Sequence, residues 1–138
     1  MKLRKDAKLE LIRAIPLFRH CTKRELAKIA AIADELDLEE GTELTREGKP
    51  GREFFAIIEG EADVLMGDKP INSLRQGDFL GEISLITGQP RTATVRATSS
   101  VRVLVITERN FRRLLEKTPE IQRKVLLSLA ERVAATTI

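Results

Sequence analysis

The sequence predicts an α+β, mainly β, fold: a small antiparallel β-barrel or jelly roll set between N-terminal helices and two C-terminal helices. Three observations lead there. Apolar residues recur at helical spacing before about Leu36 and again after Ile106. Between those limits the apolar runs are short or alternating, and Gly41, Gly48, Gly51, Gly60, Gly67 and Gly77 separate them, which is the rhythm of many short antiparallel strands. Finally, 138 residues with 42% hydrophobic content suffice for one packed core, so a single domain over 1–138 is expected, with helices over about 7–35, the barrel over 36–106 and helices again over 107–138.

The elements follow in chain order. Leu11, Ile12 and Ile15 ahead of Pro16 read as a first short helix. Thr22-Lys23-Arg24-Glu25 is a capping box, in which the hydroxyl and the carboxylate each satisfy an amide of the first turn, and it opens a second helix on Leu26, Ile29, Ala30 and Ala33. The clearest strands are Phe54-Phe55-Ala56-Ile57-Ile58, Ala62-Asp63-Val64-Leu65-Met66 and Val101-Arg102-Val103-Leu104-Val105-Ile106. Gly67-Asp68 predicts a tight hairpin turn leading into Ile71-Asn72-Ser73-Leu74. After Ile106 the period returns to helical: Phe111, Leu114 and Leu115 form one helix that ends near Thr118-Pro119, where the proline starts another. That last helix carries Ile121, Val125, Leu129 and Val133 at four-residue steps.

Bulk properties exclude several functions. The net charge is +3, and acids and bases are interspersed, so charge does not call for nucleic acid. Trp and Tyr are absent and Phe numbers only five, which removes the platforms on which single strands stack. The lone Cys21 cannot close an internal disulfide, and no apolar run is long enough to cross a bilayer or to resemble a secretory signal, so the cytoplasm is the expected compartment. His20 has no companion at metal-ligand spacing, and no Cys-His pair matches a catalytic signature, so neither a metal nor enzyme chemistry is expected. Arg109, Arg112, Arg113 and Lys117 cluster on one short helix, which suits an acidic partner or, more plainly, a solvated face.

The chemistry concentrates in Gly81-Glu82-Ile83-Ser84 and Pro90-Arg91-Thr92-Ala93-Thr94. Gly81 permits close backbone approach, and the residues after it can form a short helical turn whose first amides point unpaired toward an anion. Arg91 supplies a countercharge that never deprotonates and matches two phosphate oxygens in one plane, while Glu82 suits a ribose hydroxyl. One phosphate with one ribose suggests a nucleotide. A plain surface ion pair between Glu82 and Arg91, contributing on the order of 0–1 kcal/mol, would not account for Gly81, Ser84, Pro90 and Thr92 around it.

The stretch Phe79-Leu80-Gly81-Glu82-Ile83-Ser84-Leu85-Ile86-Thr87-Gly88-Gln89-Pro90-Arg91-Thr92-Ala93-Thr94-Val95 resembles the phosphate-binding cassette of cyclic nucleotide-binding domains. The preceding Arg46-Glu47-Gly48-Lys49-Pro50-Gly51-Arg52-Glu53-Phe54-Phe55-Ala56-Ile57-Ile58-Glu59-Gly60-Glu61-Ala62 is similar to the glycine-punctuated strand pair these domains place before it. The family includes the regulatory domains of catabolite activator proteins, protein kinase A regulatory subunits and cyclic nucleotide-gated channels. The resemblance runs from about Leu11 to the C-terminus, and it implies an eight-stranded antiparallel jelly roll, or double-stranded β-helix, with a hinge and a lid in the C-terminal helices. It implies a non-catalytic sensor for cAMP ahead of cGMP. Glu82 would accept from the ribose 2′-hydroxyl, Arg91 would pair with the cyclic phosphate, and the amides around Ile83, Ser84 and Thr92 would complete the cradle, with Leu80, Gly81 and Ala93 beside them.

Two positions keep alternatives. The Thr92 hydroxyl can meet an exocyclic phosphate oxygen, can reach the 2-amino group of guanine, or can be a strand residue without a ligand role. Arg132 in Leu129-Ala130-Glu131-Arg132 can lie against the purine, as an arginine at this distance does in some bacterial members, or can be a solvated helix residue. No aromatic follows Phe111, so the aromatic lid of some eukaryotic members is missing. Rival readings are the ligand-binding part of a larger effector, either a channel or a transcription factor of the catabolite-activator type, and an interaction module with an empty pocket. The chain after Thr118 has room for one helix and not for a winged helix-turn-helix. Partners would be an effector domain or protein and, through the apolar face of the last helix, a second copy.

Overall fold

The computed structural model describes residues 4–136, with the side chains of Glu82, Ile83, Arg132 and Thr136 outside that description. The chain forms two compact units, one made of the segments up to Ile32 and from Arg109 onward, the other Ala33–Glu108.

The second unit is the expected jelly roll. Eight antiparallel strands, β1 (Asp34–Leu38), β2 (Glu43–Thr45), β3 (Glu53–Glu59), β4 (Ala62–Met66), β5 (Lys69–Leu74), β6 (Phe79–Leu80), β7 (Thr94–Ala97) and β8 (Val101–Thr107), form two sheets of order β1-β8-β3-β6 and β2-β7-β4-β5. Between them lies a core of Leu44, Phe55, Ile57, Ala62, Val95, Ala97, Val101, Val103 and Val105, drawn from both sheets. On β8 the valines at 101, 103 and 105 face this core by period two, while Leu104 and Ile106 on the opposite face are buried as well. Phe54 and Ala56 do the same on β3, so these two central strands read as continuous apolar runs rather than as alternation.

Gly67 at φ 52° and Asp68 at φ 62° join Met66 to its partner Lys69. Two successive residues at positive φ make the tight turn whose twist matches the flanking strands, as the dipeptide predicts. The β3–β6 register pairs Phe55 with Leu80 and Ala56 with Phe79. This brings the end of β6 beside Glu53, where the chain turns into the predicted ligand segment.

The first unit contains α1 (Lys5–Arg13), a 3-10 turn (Pro16–Phe18), α2 (Lys23–Ala31), α4 (Glu108–Lys117) and α5 (Pro119–Thr136); α3 belongs to the barrel unit and is described below. The capping box forms: the Glu25 amide donates to Thr22 Oγ1 at 3.2 Å and the Thr22 amide donates to Glu25 Oε1 at 2.8 Å. Glu25 also accepts from Lys124 Nζ of α5 at 2.5 Å. Burial pushes its carboxyl up, but the bonds from Lys124 and Thr22 outweigh that and hold it below the ordinary carboxylate range. About two turns further along α5, Glu131 Oε1 lies 2.7 Å from Arg19 Nη2 and 2.5 Å from His20 Nε2. His20 thus acquires a carboxylate partner that lies far away along the chain.

The apolar face of α5 differs from the four-residue stripe. Ile121 and Val125 are buried, Leu129 is half-buried and Val133 is 64% exposed, while Leu126 and Leu127 also face outward. The reason is geometric: with 3.6 residues per turn, each four-residue step drifts by about 40°, so a stripe of four such positions walks off the packed face before it ends. Cys21 is half-buried, and burial, reinforced by Glu25, pushes its thiol up to about 11. It is protonated at neutral pH, unlike a nucleophilic cysteine.

Candidate functional site

From β6 the chain passes through Gly81, at φ 90° and ψ 8°, directly into α3 (Glu82–Thr87), which is the short helical turn expected there. The Leu85 amide donates to the Gly81 carbonyl at 3.2 Å, and Gly88 closes the helix by donating to the Ser84 carbonyl at 2.8 Å. Glycine at 81 serves two needs. Its backbone is left-handed, and a Cβ there would stand 2.7 Å from the Glu53 carbonyl oxygen and would run into the Arg91 guanidinium.

A second set of bonds fixes the segment around Arg91. Its amide donates to the Lys49 carbonyl at 2.8 Å, its own carbonyl accepts from Gly48 at 2.9 Å, and Pro50 is bridged to Pro90. Thr45 Oγ1, buried on β2, donates to the Ala93 carbonyl at 3.1 Å, and the Glu47 amide donates to Thr94 Oγ1 at 3.0 Å. Residues 45–50 therefore hold the segment before β7 at Pro90, Arg91 and Ala93, and the first residue of β7 at Thr94. Arg91 turns its side chain toward the start of β3, where Nη2 donates to the Glu53 carbonyl. Burial pulls this half-buried guanidinium below its usual pKa, and the Glu53 carboxylate partly restores it. Arginine titrates so high that the group remains cationic at neutral pH, so it is a partly desolvated positive charge.

These residues border a cavity of about 470 Å³. Its lining combines Gly81, Ser84, Arg91 and Thr92 with the apolar Val64, Leu74, Phe79, Leu80 and Val95. The volume lies within the range of small-molecule sites, roughly 300–1,000 Å³. Its chemistry suits an anion that carries an apolar body: the cation and hydroxyls take the charge, and the apolar residues take the rest.

Of the residues singled out from sequence, Leu80, Gly81, Ser84, Arg91, Thr92 and Ala93 all line this cavity. Glu82 and Ile83 occupy the first turn of α3, but their side chains lie outside the described residues, as does that of Arg132 on α5 in the other unit. Phe79, Gln89, Pro90 and Val95, which also line it, fall within the 79–95 segment without having been named as site residues, while Thr45, Val64 and Leu74 lie outside that segment. Val64 is legible as a strand residue, but which side of the strand faces a ligand is decided by sheet pairing. Among the described residues no group of three or more His, Cys, Asp or Glu is placed to hold a metal ion, and no helix is long and apolar enough to cross a membrane.

Comparison with known proteins decides the family. Residues 35–118 match the family described as "Cyclic nucleotide-binding domain". The chain belongs to that family. It is 35% identical over 112 residues to a cAMP-dependent protein kinase regulatory subunit of Emericella nidulans, a match that covers 80% of this chain and 27% of the relative. It is 33% identical over 123 residues to a cyclic nucleotide-gated potassium channel of Rhizobium etli, covering 89% of this chain and 34% of the relative. The chain thus spans between a quarter and about a third of the length of these two relatives. Among solved structures, the N-terminal domain of a transcriptional regulator from Streptomyces coelicolor superimposes with a TM-score of 0.85 at 27% identity, covering 92% of this chain and 94% of that one.

Proposed function

We propose that this cyclic nucleotide-binding domain takes up cAMP in preference to cGMP in the 470 Å³ cavity, without chemical turnover, and reports occupancy to an effector through closure of α5. The observation that carries the reading is the partly desolvated Arg91 guanidinium, which with Ser84 and Thr92 lines a cavity whose remaining lining is largely apolar. The cyclic phosphate pairs with Arg91 and with amides at the start of α3 and around Thr92. Glu82 accepts from the ribose 2′-hydroxyl. The base lies along the apolar lining, and the Thr92 hydroxyl lies near an exocyclic oxygen of the phosphate. The preference for cAMP is supported by the cAMP-dependent name of the fungal relative, since a threonine at 92 serves either base.

Calorimetric titration of the purified chain tests the reading. A dissociation constant in the micromolar range for cAMP is expected, about 7–9 kcal/mol, as suits a small ligand held by one charge pair and several amides. 2′-Deoxy-cAMP should bind more weakly than cAMP to the wild type, and Glu82→Ala should narrow that difference. Equal affinity of the wild type for both nucleotides removes the ribose role of Glu82, and no heat at high micromolar concentrations of cAMP or cGMP removes the nucleotide reading.

Closure of α5 rests on its attachments. Within its own unit α5 is held to the N-terminal helices partly by ion pairs, Lys124–Glu25 and Glu131 with Arg19 and His20, and it leaves Leu126, Leu127 and Val133 exposed. Exchangeable pairs and uncovered apolar surface suit a helix with a second position that a ligand can select. Saturating cAMP is expected to slow amide exchange from Glu120 to Val133, and Arg132→Ala to lower affinity by less than Arg91→Ala does, because base capping requires α5 to lose freedom first. Identical exchange with and without nucleotide would leave a binder without this switch.

A further inference from the structure

We propose that Gly51, outside the Phe79–Val95 segment, is a positioning residue for the nucleotide phosphate: the space left by its missing side chain is where Ser84 and the Arg91 side chain stand. The inference rests on the cyclic-nucleotide reading above.

Seven of the eight glycines in the chain lie at positive φ, and Gly51 is the exception. Backbone conformation does not call for glycine there; space does. Gly51 is buried, and a Cβ built on it would stand 2.5 Å from Ser84 Cβ, 2.6 Å from Ser84 Oγ and 2.9 Å from Arg91 Nε. Carbon contacts are at their optimum near 3.5–4.0 Å, so these groups could not keep their places. Arg91 can rotate away, but Ser84 Cβ is fixed to α3 and moves only if the helix moves.

Nor can the loop carrying Gly51 swing aside. Its neighbours bond the Arg91 backbone from both sides, Gly48 to the Arg91 carbonyl and the Arg91 amide to Lys49, and Pro50 is bridged to Pro90. An alanine at 51 therefore displaces the two groups set to meet the phosphate, α3 and the guanidinium, relative to each other. A fork that must meet two oxygens in one plane tolerates such displacement poorly.

The test is Gly51→Ala, measured by calorimetry against cAMP and against its two phosphorothioate diastereomers, which differ only in which exocyclic oxygen is sulfur. The expected result is a loss of roughly 10- to 100-fold for cAMP, as for disturbed bonds to a charged group, with a changed affinity ratio between the diastereomers and, because the clash is present without ligand, a lowered melting temperature of the free protein. Ser84→Gly removes the two nearest atoms, so Gly51→Ala should cost less in that background than in the wild type. If wild type binds cAMP and Gly51→Ala binds it equally well, or loses affinity with the same diastereomer ratio and the same cost in both backgrounds, the positioning role is overturned while the nucleotide reading stands. If wild type binds neither cAMP nor cGMP, that reading falls and takes this inference with it. Should Gly51→Ala fail to fold, the Gly51→Ala/Ser84→Gly variant decides: recovery of the fold with binding above that of Ser84→Gly lost by less than tenfold supports the steric account, and failure to recover overturns it.

Discussion

Arg91→Ala is expected to weaken cAMP binding by roughly 100-fold, a loss of about 2–3 kcal/mol, because the bound phosphate would keep its desolvation without its countercharge. The half-buried setting of Arg91 limits the figure, since solvent screens part of the interaction. Arg91→Lys should lose less, about tenfold, keeping a point charge but not the fork. The free protein should tolerate both changes, because what the guanidinium does there is donate to the Glu53 carbonyl beside Gly81. Calorimetry on the three proteins, with melting of each in the absence of nucleotide, measures the two effects separately. Equal affinities for the alanine and lysine variants would mean that fork geometry plays no part, and an alanine variant binding like wild type would remove Arg91 from the phosphate site.

Much of this arrangement is legible in the sequence where the signal is local. The Thr22 to Glu25 capping box, the Gly67-Asp68 turn and the Gly81 exit into a short helix each depend on residues within one or two turns of chain, and each forms. The runs of β3 and β8 are legible because both faces are buried. Other strands carry too little pattern: β2 has three residues and β6 two, too few for any period to show, and β1 is an acidic strand that pairs with β8 alone and leaves Leu36 exposed. In the site, Ser84, Arg91 and Thr92 are legible from their types and spacing. Thr45 and Gly51 are not, because the hydroxyl acts on Ala93 and the missing side chain acts on Ser84 and Arg91, all brought close by β2–β7 pairing and the loop bonds. The pairing of His20 with Glu131 is of the same kind, a contact made by packing between the two ends of the chain.

Phe111→Ala is expected to destabilise the protein by about 3–5 kcal/mol, the usual loss when a fully buried phenyl ring leaves a cavity. Phe111 on α4 and Phe18 on the 3-10 turn are each 1% exposed, with ring centroids 6.0 Å apart and planes tilted by 59°. Tilted aromatic pairs at this separation add about 0.5–1.5 kcal/mol to the area buried. The pair joins two pieces of chain separated by the entire barrel, so this unit coheres only where such contacts bridge them. Domain stability is about 5–15 kcal/mol in total, so this single truncation removes a large share. Phe18→Ala should cost a similar amount, and the double variant less than the sum by roughly the ring–ring contribution, since neither partner is then left facing a void made by the other. Denaturant unfolding of the four proteins gives the cycle. A loss below about 1 kcal/mol for Phe111→Ala would place that ring outside the core. The expected large loss, beside an Arg91→Ala variant that melts like wild type, would separate the residues that hold the helices from those that hold the ligand.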